Sequence, residues 1–360
     1  MDVFENLRKV LDRHIAGAPS SPHILEILRI LFTEEQAALA CEMRFAPEPA
    51  AWIAAAAGLS EQSAAEMLSA MADKGIIFCR EKDGAKGYAL LPTIPGLFEF
   101  PLMAGAGTPV LDRLAKLWCA YHEEAMGREF AASKTPFARI IAVEKAVAGK
   151  NEVMPFDELS AMLEKSRTFA VAHCACRVSV GRCDKPRETC LIFDQAARFL
   201  VDRGLAREIG KDEALSVLKK AEEQGLVHTT SNAQDRLSFV CNCCSCCCTI
   251  LRVMTEQDNP NAFARSRFAA RVDESLCTGC GVCAEERCPM QAIDLPDGVA
   301  QVREERCIGC GLCVSSCEAG AMSMAPRAGA ENPPATTADM GLAVAREKGK
   351  LAEFVRMMGR

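Results

Sequence analysis

The chain has 360 residues, of which 25% are charged and 49% are hydrophobic, and its formal net charge is −6. This length allows two or three packed domains, and no apolar run approaches the roughly 20 residues that a membrane-spanning helix requires. The unusual feature is the count of 21 cysteines. In a reducing compartment so many thiols are more often metal ligands than disulfides.

Residues 1–105 are predicted to form a winged-helix-like domain. Its predicted elements are helices at about 50–57 and 60–74 and strands at about 76–80 and 88–91. In a DNA-binding winged helix the second of these helices would enter the major groove, but here it carries Glu61, Glu66 and Asp73. Because phosphates repel acidic side chains, we expect no nucleic-acid binding and interpret this domain as a packing or protein-contact element.

Residues 106–150 are predicted to be a helical connector, with one apolar-striped helix at about 111–130. Residues 151–270 are predicted to form a helical, cysteine-rich domain. Its predicted elements are helices at about 156–166, 191–203 and 212–224 and a short strand at 168–172. Ten cysteines lie within 75 residues of this domain: Cys174, Cys176, Cys183, Cys190, Cys241, Cys243, Cys244, Cys246, Cys247 and Cys248.

The ten central cysteines predict at least one metal centre, because soft thiolates favour iron–sulfur clusters or zinc over hard cations. We expect an iron–sulfur cluster, with zinc as the first alternative and unliganded redox thiols as the second. If 241–248 is extended, side-chain alternation separates one set of three cysteines from another. The sets are Cys241, Cys243 and Cys247, and Cys244, Cys246 and Cys248. Upstream cysteines could complete two centres, or one unusual cluster could form beside spare thiols.

Residues 271–325 contain one cysteine motif twice. The first copy is Cys277, Cys280, Cys283 and Cys288, and the second is Cys307, Cys310, Cys313 and Cys317. In C-x2-C-x2-C the three thiolates meet three irons of one 4Fe-4S cluster, while in two-cluster proteins the last cysteine of each motif serves the other cluster. Zinc sites more often use two separate pairs. We therefore assign one cluster to Cys277, Cys280, Cys283 and Cys317, and the other to Cys307, Cys310, Cys313 and Cys288.

The two copies resemble the paired motifs of a two-cluster bacterial-type ferredoxin. Glycines recur between the ligands, at positions 279 and 281 and again at 309 and 311. The sequence departs from the usual ferredoxin motif at two positions that affect local geometry. Four residues separate Cys283 from Cys288 where three are usual, and Glu318 stands where such a motif usually has proline.

A wider resemblance extends over about residues 20–325. The strings HCACR, GRCDKPRETCLIF, EEQGLVHTTSN and CNCCSCCC precede the double motif. Together they resemble a family of 4Fe-4S ferredoxin-type proteins of anaerobic and sulfate-reducing bacteria and of archaea. The resemblance implies dicluster iron–sulfur binding and electron transfer, and it indicates no substrate.

The expected fold class is α+β, with the winged-helix-like domain, the connector, the cysteine-rich domain and the ferredoxin module in that order. Residues 326–360 are predicted to be a linker and one amphipathic C-terminal helix. Residues 271–325 carry four basic and nine acidic side chains. This acidic face favours docking to basic patches on redox partner proteins.

The sequence thus predicts a cytoplasmic electron-transfer protein with two 4Fe-4S clusters and a further iron–sulfur centre. One alternative is an oxidoreductase whose catalytic centre is the central cysteine field. The other is a redox-responsive regulator built on the winged helix.

Overall fold

The computed structural model describes residues 2–105, 107–257 and 259–359. Helices and strands are mixed along the chain, and the α+β class is as predicted. In these described ranges no helix combines the length and the apolar character needed to cross a membrane.

The N-terminal part is a group of helices followed by a β-hairpin. Its elements are α1 (Val3–Leu11), α2 (Pro22–Leu31), α3 (Glu34–Cys41), β1 (Glu48–Pro49), α4 (Ala50–Ala57), α5 (Glu61–Asp73), β2 (Ile77–Lys82) and β3 (Ala85–Leu90). Gly58 ends α4 in the left-handed conformation, and the Ser60 side chain caps α5 by accepting the N–H of Ser63. The strand order is β1-β3-β2. The two helices and the hairpin occur where predicted, and the winged-helix comparison stays a prediction.

The middle of the chain is built on a six-stranded antiparallel sheet. Its strands are β4 (Ala138–Ile141), β5 (Phe169–His173), β6 (Glu188–Phe193), β7 (Arg207–Ile209), β8 (Val227–Ser231) and β9 (Phe239–Cys243), in the order β4-β8-β9-β6-β5-β7. Its helices are α6 (Pro109–Tyr121), α7 (Gly127–Phe130), α8 (Glu144–Val147), α9 (Leu159–Leu163), α10 (Ala175–Val180), α11 (Asp194–Val201), α12 (Lys211–Glu223) and α13 (Thr249–Glu256).

This sheet differs from the helical domain expected between residues 151 and 270. The predicted helix at 191–203 is wrong over its first residues, which belong to β6, and α11 begins only at Asp194. The connector is not wholly helical either, because β4 pairs with β8. The short strand predicted at 168–172 corresponds to β5. All the strands have only three to six residues, and cysteine or threonine interrupts the apolar runs of β6, β8 and β9, so these three sequences carried little strand signal.

Alternation along the strands gives the sheet two different faces. One face carries Phe169, Val171, Leu191 and Val240, which form a core cluster with side chains of α9 and α12. The opposite face carries Ala170, Ala172, Cys190, Ile192 and Cys243, which belong to the main core shared with the N-terminal part. Cysteines of β6 and β9 therefore point away from the α9–α12 layer.

The repeated cysteine motifs lie in a small module closed by two strands. Its elements are β10 (Phe268–Val272), β11 (Ile293–Asp294), β12 (Gln301–Val302), α14 (Leu312–Ser315) and β13 (Met322–Pro326). Strand β10 pairs antiparallel with β13, so the two ends of the module lie side by side, and β11 pairs with β12.

The C-terminal segment forms two helices, α15 (Thr337–Glu347) and α16 (Leu351–Met357), where one was predicted. Gly349, with φ of +69°, allows the turn between them. Lys348 in this turn is almost wholly buried, donates to the carbonyl oxygen of Ile15 at 2.8 Å and pairs with the carboxylate of Glu129 at 2.9 Å. The helices thus pack on the N-terminal part of the chain.

Candidate metal centres

The ferredoxin-like module contains two cysteine-lined cavities. The first is lined by Cys277, Cys280, Cys283 and Cys317, and the second by Cys288, Cys307, Cys310 and Cys313. Their empty spaces, including parts open to solvent, are similar at about 370 and 350 Å³. The last cysteine of each motif thus lies beside the first three of the other motif. These are the two sets named from the spacing, and their assignment as ligands stays a prediction.

The backbone around both cavities suits thiolate-bound clusters. The N–H of Ala300 donates to Sγ of Cys277 at 3.4 Å, and the N–H of Ala292 donates to Sγ of Cys288 at 3.2 Å. Such hydrogen bonds stabilise the negative charge that bound thiolates carry. The donor set, four cysteines around each of two cavities, therefore fits a pair of 4Fe-4S clusters.

Glycine is required at one motif position in particular. Gly309 has φ of +72°, and a Cβ atom there would overlap the carbonyl oxygen of Phe268. The loop between Cys307 and Cys310 can therefore lie against β10 only because this residue has no side chain.

The two cavities differ in exposure. Cys280 of the first cavity is exposed, whereas Cys307, Cys310 and Cys313 of the second are buried. The loop of the second cavity also contacts the body of the protein, because the N–H of Val143 donates to the carbonyl oxygen of Cys310 at 2.8 Å. The first cavity is thus the outer one and the second the inner one.

Six of the ten central cysteines line a third cavity, called here the six-thiol cavity. They are Cys174, Cys176, Cys190, Cys241, Cys243 and Cys248. Pairing of Leu191 with Val240 sets Cys190 opposite Cys241 on neighbouring strands, and Cys243 follows on the same face of β9. Cys174 and Cys248 immediately precede α10 and α13. Two strands and two helix starts therefore bring these six cysteines to one space.

The six thiols form a continuous chain of contacts. Cys241 interacts with Cys190 and Cys243, and Cys248 interacts with Cys176 and Cys243. Cys176 in turn interacts with Cys174. The pKa of Cys241 is raised well above its usual value by the Cys190 thiol and by burial. Without a cation the Cys241 thiol would therefore stay protonated, and a metal that binds it must displace the proton.

The other four central cysteines form a separate group, called here the four-thiol group: Cys183, Cys244, Cys246 and Cys247. Their sulfur atoms all lie within 4.8 Å of one another. Sγ of Cys183 is 3.8 Å from Sγ of Cys244 and 3.8 Å from Sγ of Cys247. A turn after β9 carries three of these residues, and the loop after α10 carries Cys183.

A buried arginine adjoins the four-thiol group. The side chain of Arg177 has 1% exposure, and its Nη1 donates to Sγ of Cys244 at 3.9 Å and to the carbonyl oxygen of Asn242 at 2.8 Å. Asn242 is in turn held by His228, whose Nδ1 lies 2.6 Å from the Asn242 Oδ1. Arg177 thus places a positive charge beside these cysteines.

The division of the cysteines differs from the simple alternation expected for 241–248. Cys241 and Cys243 line the six-thiol cavity together with Cys248. Cys247 instead belongs to the four-thiol group with Cys244 and Cys246. The reason is that β9 ends at Cys243 and a turn follows, so side chains no longer alternate between the two faces of a strand after this residue. The sequence correctly indicated two sets of cysteines, but it placed Cys247 in the set to which Cys248 belongs, and Cys248 in the set to which Cys247 belongs.

Sequence reasoning also missed Glu99, which lines the six-thiol cavity from the N-terminal part. The N–H of Gly96 donates to its Oε2 at 2.7 Å. Burial raises the pKa of Glu99 to about 7, despite the opposing hydrogen bond from Gly96. No local pattern marks this residue, because only the tertiary fold brings it to cysteines that lie at least 75 positions away.

Comparison with known proteins identifies one segment of the chain. Residues 269–318 match the family described as "4Fe-4S dicluster domain". Searches of curated proteins and of solved structures gave no match. The matched segment contains both cysteine-lined cavities of the module, so the chain includes an iron–sulfur domain of the ferredoxin type. This domain supports an electron-transfer role.

Proposed function

We propose that this protein is an electron carrier with two 4Fe-4S clusters in its ferredoxin-like module and a further iron–sulfur cluster in the six-thiol cavity. The observation that carries this proposal is the pairing of the two module cavities, each lined by three cysteines of one motif and the last cysteine of the other. When bound, 4Fe-4S clusters supply one-electron chemistry at potentials set by hydrogen bonding and exposure.

The residues of the outer cavity would form the docking side of the protein. Cys280 is exposed there, and so are Leu276 and the carboxylates of Glu285 and Glu286. An apolar side chain among carboxylates suits a partner whose surface is basic around an apolar centre. We expect the partner to be a redox protein and the docking rate to fall as salt increases.

The residues of the inner cavity would connect the outer cavity with the body of the protein. They exclude water, since Cys307, Cys310 and Cys313 are buried, and Val143 ties their loop to the segment after β4. In this proposal electrons pass between the surface and the interior in the order outer cavity, inner cavity, six-thiol cavity.

The third centre is supported by the chemistry of the six-thiol cavity. The cavity is deeply placed, its other lining residues are mostly apolar, and it offers more thiols than the four that a cubane cluster needs. Soft thiolate donors favour iron–sulfur clusters or zinc over hard cations. The assignment extends the sequence prediction of a central cluster to six named ligand candidates.

Stepwise reduction followed by low-temperature electron paramagnetic resonance tests the electron-transfer function. The full-length protein is purified without oxygen, reduced and then mixed with an oxidised one-electron dye. We expect reversible signals typical of reduced 4Fe-4S clusters and their loss as electrons pass to the dye. A protein that shows no such signal, or that retains its electrons in the presence of the dye, contradicts the proposal.

A second function, an oxidoreductase with the central centre as its catalytic site, is favoured by the size of the six-thiol cavity. Its empty space is about 1050 Å³, nearly three times the 370 Å³ of the outer ferredoxin cavity by the same measure. The surplus space and thiols could accept a small substrate, with Glu99 as a proton donor. Turnover of small disulfides by the reduced protein, abolished in Glu99→Gln but kept in Glu81→Gln, would support this function.

A further inference from the structure

The four-thiol group has the dimensions of a site for a single metal ion. A tetrahedral zinc ion bound to four thiolates at about 2.3 Å holds neighbouring sulfur atoms about 3.8 Å apart. Sγ of Cys183 lies 3.8 Å from Sγ of Cys244 and 3.8 Å from Sγ of Cys247. All four sulfur atoms also lie within 4.8 Å of one another. Four thiolates with this spacing leave room for one ion at their centre.

The same spacing is too small for an iron–sulfur cube. In a 4Fe-4S cluster each thiolate binds a different iron, so the sulfur ligands surround the whole cube and lie further apart. Within the described ranges the four-thiol group is the one set of three or more cysteine, histidine or acidic ligand atoms packed within 4.8 Å. The ferredoxin cavities and the six-thiol cavity do not share this tight packing.

The charge around the group favours a complex that is negative overall. A divalent ion with four thiolates carries a net charge of −2. Arg177 is buried, and its side-chain partners within the described residues are Sγ of Cys244, the carbonyl oxygen of Asn242 and the hydroxyl of Thr189, none of which is a carboxylate. A buried guanidinium without a partner anion is costly, so the metal–thiolate group would supply the missing negative charge.

We propose that Cys183, Cys244, Cys246 and Cys247 bind one zinc ion in a closed structural site, separate from the six-thiol cavity. Zinc with four cysteine ligands has no open position for a substrate. The ion would tie the loop after α10 to the turn after β9. That turn is flanked by Cys243 and Cys248, so the zinc site would hold two thiols of the six-thiol cavity in position. The proposal does not depend on which group the six-thiol cavity contains.

Metal analysis of the full-length protein tests this site. Zinc and iron are measured in the anaerobically purified wild type, in Cys246→Ser and in the control Cys119→Ser, whose cysteine lies outside all three cavities and the four-thiol group. We expect about one zinc per chain in the wild type and the control, and loss of most of it in Cys246→Ser, with iron largely retained. Loss of iron with no change in zinc would show that the group belongs to a cluster instead.

Zinc K-edge X-ray absorption of the wild type provides a test that needs no variant and therefore does not depend on how a variant folds. We expect a single shell of four sulfur atoms at about 2.3 Å. Zinc bound mainly through nitrogen or oxygen, or a wild-type protein that contains no stoichiometric zinc, would overturn the proposal.

Discussion

Nη1 of Arg177 lies 3.9 Å from Sγ of Cys244, and the same atom donates to the carbonyl oxygen of Asn242 at 2.8 Å. Burial opposes the charge of this arginine, but the sulfur atoms of Cys174 and Cys244, in their thiolate forms, outweigh burial and raise its pKa. Cys174 lines the six-thiol cavity and Cys244 belongs to the four-thiol group. Arg177 therefore links the two sets of cysteines that the fold separates.

Replacement of Arg177 by methionine should destabilise the protein strongly. The variant leaves a negatively charged thiolate group without its buried counter-charge, which typically costs about 3–5 kcal/mol. Thermal unfolding without oxygen measures the change. Arg182→Met is the matched control, because Arg182 is half exposed in its pairs with Glu123 and Glu256 and should contribute at most about 1 kcal/mol. Equal, small effects of the two replacements would contradict the role of Arg177.

Replacement of Cys288 by alanine should perturb the inner cluster and spare the outer one. Cys288 belongs to the first motif but lies beside Cys307, Cys310 and Cys313. The reciprocal variant, Cys317→Ala, should perturb the outer cluster. Electron paramagnetic resonance of the reduced variants distinguishes the two clusters by their separate signals. If Cys288→Ala instead alters the signal that Cys280→Ala also alters, the exchange of last ligands is wrong.

Replacement of Gly309 by alanine should reduce iron in the inner cavity. The added Cβ would overlap the carbonyl oxygen of Phe268 and would also strain a backbone with positive φ. Gly320→Ala is a matched control, because Gly320 has φ of +66° and open space around it. Both variants bear the penalty of a side chain in the left-handed backbone region, about 1–2 kcal/mol, so the difference in their iron content reports the overlap alone. We expect Gly320→Ala to retain iron near the wild-type level, and similar iron loss in both variants would argue against the close approach.

The protein should lose stability as the pH falls below about 6.5, in part because of His122. This residue has 4% exposure, packs against Phe98 and lies 3.0 Å from the Thr249 hydroxyl. Burial lowers its pKa from 6.5 to about 3, with Arg252 adding to the effect. Between these values the unfolded chain binds a proton that the folded chain does not, so unfolding is favoured by up to about 1.4 kcal/mol per pH unit.

The variant His122→Gln isolates this contribution, because glutamine has no titrating group. Unfolding of the wild type and the variant is compared between pH 7 and pH 5. The free energy of unfolding should fall less steeply in His122→Gln. Parallel pH profiles would show that His122 does not titrate differently in the folded and unfolded chains.

The sequence was informative where chemistry depends on local spacing. The motifs from Cys277 to Cys317 predicted both four-cysteine sets, because a C-x2-C-x2-C loop has few conformations and the exchange of last ligands follows from the repeat. The helices around Ser60 and the following hairpin were also predicted, since capping and turn residues act locally.

The central site was less predictable because the tertiary structure determines it. Short strands such as β6 and β9 carry cysteines in place of the usual apolar residues, so the sheet had little signal. The end of β9 at Cys243 decides whether each later cysteine lies in the six-thiol cavity or in the four-thiol group. The alternation of residues in the sequence does not show where that strand ends. Glu99 reaches the six-thiol cavity only through packing of the N-terminal part.

Iron and acid-labile sulfide per chain test the central claim most directly. Two ferredoxin clusters hold about eight irons, and a third cluster in the six-thiol cavity should raise anaerobic iron to about twelve or more, with sulfide in similar amount. The triple variant Cys241→Ser/Cys243→Ser/Cys248→Ser leaves three thiols in that cavity, one fewer than a cubane cluster needs, and should return the value to about eight. A wild-type value of eight or fewer, unchanged in the triple variant, would contradict the third centre.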